Sequence, residues 1–204
     1  MKSGLLIRCG GMPREILSTM SHSDRLVIAA HEAEFGRYRG LCEKAIVQLD
    51  FVQLRVALDA ETNSICVIMK HMAGNLQSRW TEPFTSDGEK PWRDRDSEFV
   101  DDFADRDALM RTWNAGWATL EGTLAACSDA DLARTLTIRG EPHTLALALA
   151  RSLSHTAYHS GQIVQIARVM ASRGGIAWKT LTVARGGSRE HNARMGFDAG
   201  GQAR

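Results

Sequence analysis

Four stretches of this chain repeat apolar residues at intervals of three and four, and this periodicity limits what the chain can fold into. The stretches run from about residues 23 to 49, 62 to 84, 105 to 127 and 144 to 172. Such spacing predicts amphipathic α-helices, each of which buries one stripe. At most two short strands can be found between them, so an α/β fold is not supported. The pattern predicts an all-α fold in which four helices share one core.

The ends of the helices and their connections also leave signals. Ser21 or Ser23 is a candidate N-cap for the first helix, and residues 50–59 are interpreted as a connection. The longest connection, residues 85–103, contains the charged run DGEKPWRDRDSEF. Its composition predicts a solvated surface loop, although long loops are often functional, so a lid over a site is the alternative.

The segment before the fourth helix and the segment after it differ from the helical pattern. Residues 135–145, TLTIRGEPHTL, have β-branched residues around Gly-Glu-Pro and predict a small hairpin or extended crossover. The fourth helix should stop at Gly174-Gly175. We therefore divide the chain into an N-terminal extension (1–20), one helical domain (21–192) that ends in an ordered C-terminal extension, and a flexible tail (193–204).

Charge and cysteine content narrow the class of protein. Lys and Arg total 25 against 24 Asp and Glu, which gives no support for nucleic-acid binding. No apolar run approaches the roughly 18 residues that a membrane span needs, and the apolar run Leu5-Leu6-Ile7 is too short for a signal peptide. The cysteines lie far apart, which predicts free thiols in a reducing compartment, and we expect a cytoplasmic protein. They are Cys9, Cys42, Cys66 and Cys127.

Two histidines on the fourth predicted helix carry the clearest chemical signal. His155 and His159 are four residues apart and project from one helix face. That face should point inward, where two charged imidazoles are costly and a cation bound to their neutral nitrogens is favourable. Imidazole suits Zn, Ni, Fe and Cu. Because Thr156 and not Glu follows the first histidine, the metalloprotease motif H-E-x-x-H is absent, and the spacing alone also occurs in proteins without metal.

A third histidine strengthens the metal hypothesis. His71 borders the apolar stripe of the second predicted helix, and three histidines with an open fourth position form a known catalytic zinc geometry. Considered alone, His71 would be interpreted as a boundary histidine. His31 could supply a fourth ligand, but a packed or half-exposed role is favoured. The remaining histidines lie at caps, turns or the tail and are predicted to be solvated: His22, His143 and His191.

Several separated motifs resemble one known family. A histidine in the second helix together with H-x-x-x-H in the fourth resembles the DinB/YfiT-like metalloenzyme superfamily. The segments HMAGNLQSRWTEPFTSDGEKPWRDRDSEF, WNAGWATLE, IRGEPHTL, SHTAYHSGQIV and WKTLTVARGGSREHN resemble one bacterial branch, a domain of unknown function. The resemblance covers about residues 23 to 192 and has these motifs in order.

The resemblance implies an up-down four-helix bundle, often a homodimer, with His71, His155 and His159 as ligands of one divalent metal (Zn, Ni or Fe). It also implies water or a substrate atom at the open position. Characterised relatives include thiol-dependent S-transferases and a mycothiol-dependent isomerase, so the resemblance also allows a low-molecular-weight thiol as a cofactor. The family name refers to damage-inducible expression and does not imply DNA binding, and the fold does not fix the reaction.

Three functional hypotheses remain open at this point. The first is a metal-dependent enzyme, a thiol S-transferase or a hydrolase, that acts on a small molecule. The second is a stress protein that binds a metal or ligand without turnover, and the third is a helical dimerisation module without metal. Gln162, Tyr158 and Asn75 are candidates to orient the ligands, and Trp80, Trp92 and Arg79 are candidates to line the mouth of the site.

Overall fold

A computed structural model describes residues 22–197, and this part of the chain is mostly helical with one small sheet. The α-helices and strands are α1 (Leu26–Ile46), α2 (Phe51–Leu54), α3 (Ile65–Trp80), α4 (Arg106–Ala125), β1 (Thr135–Ile138), β2 (Glu141–Thr144), α5 (Leu145–Arg173) and α6 (Ser188–Arg194). Short 3-10 turns cover His22–Arg25, Asp96–Phe99 and Asp129–Ala133. The four long helices and the hairpin lie where the sequence predicts them, whereas residues 50–59, interpreted as a connection, contain α2.

Local capping explains where most of these helices begin. The side chains of Ser64, Asp105 and Thr144 accept hydrogen bonds from backbone amides in the first turns of α3, α4 and α5. Helix α1 differs, because its first amides are bound by Asp129, which lies 101 residues beyond Ile28. The N-cap position of this helix is Arg25, so the prediction of Ser23 at that position is wrong, and Ser21 lies outside the described residues.

The long helices bury a shared core. Helix α3 packs chiefly against α4, and α1 packs chiefly against α5, while α3 and α5 meet over a smaller contact. Gly116 brings α4 close to α3, since a Cβ atom there would lie 2.7 Å from the Cα of Ala73. Three tryptophans, Trp80, Trp113 and Trp117, are fully buried in the core. The stripe of tryptophans on α4 is therefore structural.

The hairpin fixes the start of the long loop between α3 and α4. β1 and β2 are antiparallel, with Ile138 opposite Glu141, and the tip has Gly140 at φ 77°. The carboxylate of Asp87 accepts hydrogen bonds from the backbone amides of Arg139 and Gly140. The amide of Gly88 donates to the carbonyl of Thr137 at 2.7 Å. The loop is thus held against the hairpin by backbone contacts.

Two structural features concern the predicted cellular environment: the state of the cysteine thiols and the apolar character of the helices. Cys42, Cys66 and Cys127 are buried and free, and burial raises the pKa of the three thiols to about 11, 12 and 11. Cys9 lies outside the described residues. Among residues 22–197, no helix has the length and apolar character needed to cross a membrane.

Candidate metal centre

Three histidines from two helices converge at the contact between α3 and α5. His71 comes from the middle of α3, and His155 and His159 come from consecutive turns of α5. The Nε2 atom of His155 lies 3.2 Å from Nε2 of His71 and 3.1 Å from Nε2 of His159. One ligand atom from each histidine lies within 4.8 Å of the others, so the group could hold a metal ion.

Hydrogen bonds at the far side of two rings fix their tautomers. Nδ1 of His71 lies 2.9 Å from a carboxylate oxygen of Glu98, and Nδ1 of His159 lies 2.7 Å from the amide oxygen of Gln162. Because both oxygens are acceptors, each Nδ1 must carry the proton and donate it. In the neutral rings, Nε2 of His71 and Nε2 of His159 then present lone pairs to His155.

This arrangement fits a cation better than it fits protons. A proton on Nε2 of His155 can form a hydrogen bond with Nε2 of His71 or with Nε2 of His159. The lone pair of the other nitrogen is then left without a partner. A tetrahedral ion with metal–nitrogen bonds of about 2.0–2.1 Å separates its ligand nitrogens by about 3.3 Å, and the two observed separations, 3.2 and 3.1 Å, are close to that value. The donor set and its spacing thus match what a divalent transition metal requires.

The environment keeps the imidazoles of His155 and His159 neutral. Burial lowers the pKa of His155 to about 3, with further contributions from the neighbouring His159 and His71. Burial also lowers the pKa of His159, and the hydrogen bond to Gln162 only partly offsets this effect. At neutral pH these two rings are therefore unprotonated, which is the form that binds metals.

Glu98, from the charged loop, anchors the triad of His71, His155 and His159 through its contact with His71. Its side chain is buried, and its two oxygens accept hydrogen bonds from Arg93 at 2.8 and 3.0 Å. Burial alone would raise the pKa of Glu98, but hydrogen bonds from His71 and Arg93 outweigh it and leave the pKa below its ordinary value. The interpretation of residues 85–103 as a wholly solvated loop is wrong here, because the side chains of Arg93 and Glu98 are only 2% and 6% exposed.

The packing around His71 leaves no room for a side chain at Gly74 unless Glu98 moves. A Cβ atom on Gly74 would lie 2.3 Å from Oε1 of Glu98. The carboxylate therefore occupies the space that a side chain at position 74 would need. The ring of Phe99 stacks on the His71 ring, with 5.0 Å between centroids. His71 is thus held on one side by a carboxylate and on another by an aromatic ring.

The sequence also suggested residues that orient the ligands or line the mouth of the site, and only some of them lie there. Gln162 orients His159 as predicted, and its amide nitrogen donates to the hydroxyl of Tyr158, which is otherwise exposed. Asn75 and Arg79 line a cavity beside His155. Trp80 is buried and Trp92 is 59% exposed, and neither lines that cavity.

The remaining histidines lie apart from the triad. His31 is half-buried, and its Nδ1 donates to the carbonyl of Val27, in agreement with the favoured packed or half-exposed role. His143 was predicted to be solvated, but it is only 6% exposed because its ring lies between Arg151 and the carbonyl of Glu141. His191 is partly exposed, and the side chain of His22 is outside those described.

Glu98 is the functional residue that sequence reasoning missed. Its loop has many charged residues, and nothing in the run marks one of them as buried. The signal that could have found it is on α3, where Gly74 follows His71 by three residues and leaves space on the same helix face. A glycine inside a helix often has such a packing reason.

Comparison with known proteins identifies the family. Residues 23–187 match the model of the family described as Protein of unknown function (DUF1572). This match covers most of the chain, so the chain belongs to that family. Searches of curated proteins and of solved structures find no match.

Proposed function

We propose that this member of the DUF1572 family is a metal-dependent enzyme with a DinB-like up-down four-helix bundle, which binds one divalent cation (Zn, Ni or Fe) through His71, His155 and His159. The observation that carries the proposal is the convergence of three Nε2 atoms, together with the contacts by which Glu98 and Gln162 set the tautomers of the His71 and His159 rings. Metal-binding histidines usually donate their second N–H to such acceptors.

The proposed reaction is the attack of a thiolate on an electrophilic carbon of a small molecule. A C–S bond forms, the thiol proton passes to solvent, and the bond from that carbon to its leaving group breaks with the electron pair going to the leaving group. When bound, a divalent cation with three protein ligands lowers the pKa of a thiol or water molecule at its open position. The cavity beside His155 provides space next to the triad. The three histidines would hold the cation, while Glu98 and Gln162 keep two of the rings in the required orientation.

A hydrolase is the less favoured reaction because it needs a general base. Among the described residues, the buried carboxylate that contacts the triad is Glu98, and both of its oxygens are already bound by Arg93. A carboxylate held in this way positions His71 and is not free to accept a proton from water. A thiol has an ordinary pKa near 8.5 and needs less help to ionise than water does.

A non-catalytic binding protein is the second candidate function. Structural zinc sites usually have four protein ligands, and within residues 22–197 the cluster contains three histidines. Its half-buried His155 and His159 leave a side that small molecules can reach. These features favour an enzyme. The homodimer and the cytoplasmic location stay predictions from the sequence.

Elemental analysis of the purified, untagged protein tests the metal site. We expect about one ion per chain in the native protein and loss of the ion in His71→Ala, His155→Ala and His159→Ala. His31→Ala is the matched control, because within residues 22–197 the hydrogen bond of His31 is made inside α1, and it should keep the ion. Native protein that holds no Zn, Ni or Fe after incubation with each would refute the proposal.

Cobalt substitution then separates an enzyme from a closed binding site. Addition of a small thiol to the Co(II)-loaded protein should produce thiolate-to-cobalt absorption if a coordination position is open. Turnover is tested by mixing the loaded protein with thiols and electrophilic substrates, with His159→Ala as the inactive control. Cobalt absorption without turnover of any such pair would favour the binding protein.

A further inference from the structure

We propose that the cavity beside His155 binds an oxyanion group, a carboxylate or a phosphate, of the small-molecule substrate through Arg79 and Arg151. The proposal rests on the proposed function for the statement that the bound molecule is a substrate. It goes further by naming the chemical class of that molecule and the residues that would recognise it.

The size and lining of the cavity suit a small anionic group. Its volume is about 120 Å³, and a single water molecule needs about 10–15 Å³ of such space. Five of its seven lining residues have polar side chains, and His155 places one of its edges next to the triad. The lining residues are Asn75, Arg79, Ile138, Ala148, Arg151, Ser152 and His155.

Arg79 has no acceptor in the described part of the chain. Its Nη1 atom is buried and makes no hydrogen bond, although an unpaired buried charge is costly. Burial lowers the pKa of Arg79, as do the nearby guanidinium groups of Arg93, Arg139 and Arg151. A guanidinium in such a position lacks the anionic partner that it usually has in proteins.

The carboxylates near Arg79 already have other partners. Glu89 pairs with Arg93 and Arg139 at 3.3 and 3.1 Å. Glu98 is bound by Arg93 and by His71. Neither acid forms a hydrogen bond or an ion pair with Arg79, although the charge of Glu89 acts on Arg79 at longer range and raises its pKa. Among the described residues, no carboxylate is paired directly with this guanidinium at the edge of the cavity.

Arg151 is held at the cavity by a histidine. The Nδ1 atom of His143 donates to the carbonyl of Glu141, so its Nε2 accepts a hydrogen bond from Nη1 of Arg151 at 2.6 Å. A neutral imidazole positions this guanidinium without cancelling its charge. The buried position of His143, unexpected from the sequence, has its explanation in this contact.

A third donor faces the same space. The hydroxyl oxygen of Ser152 accepts a hydrogen bond from Nε1 of Trp80 at 3.2 Å. Its own O–H has no acceptor among the described residues and can donate into the cavity that Ser152 lines. Two guanidinium groups and a hydroxyl donor without a carboxylate acceptor indicate recognition of an oxyanion.

The first test measures oxyanion binding by the metal-free protein. Inorganic phosphate and acetate are titrated separately at constant ionic strength, and arginine side-chain signals are followed by NMR. Arg79→Gln should weaken binding at least about tenfold, as expected for loss of a hydrogen bond to a charged group. Arg111→Gln removes the same charge from an exposed position on α4 and should change affinity less than about twofold.

The second test uses the Co(II)-loaded protein and a pair of thiols. Affinities of 3-mercaptopropionate and 3-mercaptopropionamide are measured from thiolate-to-cobalt absorption. The carboxylate should bind at least about tenfold more tightly in the native protein. This preference should disappear in Arg79→Gln and persist in Arg111→Gln, while circular dichroism checks that each variant is folded. Arg151→Gln should reduce the preference as well.

The outcomes separate this inference from the proposed function. Equal affinity for the two thiols, together with phosphate and acetate titrations that Arg79→Gln does not change, would overturn the oxyanion site and leave the metal site standing. Absence of thiolate-to-cobalt absorption in the Co(II)-loaded protein would overturn the open coordination position of the proposed enzyme, and the metal-free titrations would then decide the oxyanion site alone. Tighter binding of phosphate or of acetate identifies which oxyanion the cavity prefers.

Discussion

Replacing Gly74 by alanine should weaken metal binding without touching a metal ligand. The new Cβ would lie 2.3 Å from Oε1 and 2.8 Å from Cδ of Glu98, so the carboxylate would have to retreat by about 1 Å to reach ordinary contact distance. The hydrogen bond between His71 Nδ1 and Glu98, now 2.9 Å, would lengthen to nearly 4 Å and be lost. Arg93 holds both oxygens, so the carboxylate cannot move aside freely.

The size of the effect follows from the role of this carboxylate. Loss of a residue that orients a metal-binding histidine costs about 10–100-fold in metal affinity, or roughly 1.4–2.7 kcal/mol. The stability of the metal-free protein should change less. Alanine is favoured over glycine in a helix by about 1 kcal/mol, and this gain partly offsets the cost of about 1–3 kcal/mol for the disturbed hydrogen bonds.

A competition titration with a chromophoric chelator measures the Zn(II) affinity, and urea denaturation of the metal-free protein measures its free energy of unfolding. Gly122→Ala is the matched control, since a Cβ on this exposed residue of α4 meets nothing within 4 Å. It should gain helix stability and keep the native affinity. Native Zn(II) affinity in Gly74→Ala would refute the reasoning, and an equal loss in both variants would show that the effect is not local.

Gln162→Leu removes the acceptor for Nδ1 of His159, so Zn(II) affinity should fall about 10–100-fold in the same chelator titration. Gly116→Ala puts a methyl group 2.7 Å from the Cα of Ala73 and should lower the free energy of unfolding by about 1–3 kcal/mol in urea. The metal-free protein should lose stability as the pH falls from 6.5 towards 3. The reason is that burial lowers the pKa of His155 to about 3 in the fold, so the unfolded chain takes up the proton first.

Each of these predictions has a control in the chain. Gln162→Glu keeps an acceptor for His159 and should retain most of the affinity that Gln162→Leu loses. Gly122→Ala again separates helix propensity from the close contact of α3 with α4. His155→Gln should show a shallower loss of stability with acid. An identical pH profile in this variant and the native protein would contradict the assignment of the proton to His155.

Much of the fold was predictable because its signals are local. Periodicity identified the four long helices, and turn residues around Gly140 identified the hairpin. Helix ends were displaced by a few residues, as in α3, which begins at Ile65 and ends at Trp80. The cap of α1 was not predictable, because its acceptor, Asp129, comes from a distant turn and meets the helix only after the chain has folded.

The candidate site likewise contains residues that local spacing indicates and residues whose positions depend on tertiary contacts. His155 and His159 share a helix face through their spacing, and the sequence also indicated Gln162 as an orienting residue. Gly74 marks a space beside His71, but the sequence does not show which charged residue of the loop fills it, since the burial of Glu98 depends on the path of the loop and on Arg93. The burial of His143 likewise depends on a tertiary partner, Arg151, that no local pattern reveals.

The location of the triad at the narrow contact between two helix pairs has a consequence for motion. His71 belongs to the pair α3–α4, and His155 and His159 belong to the pair α1–α5. An ion shared by these residues would act as a removable crosslink between segments 84 residues apart in sequence. Amide hydrogen exchange along α3 and α5 would slow when the crosslink forms, because the two pairs could no longer separate locally. Metal supply would then set how often the interior of this protein opens.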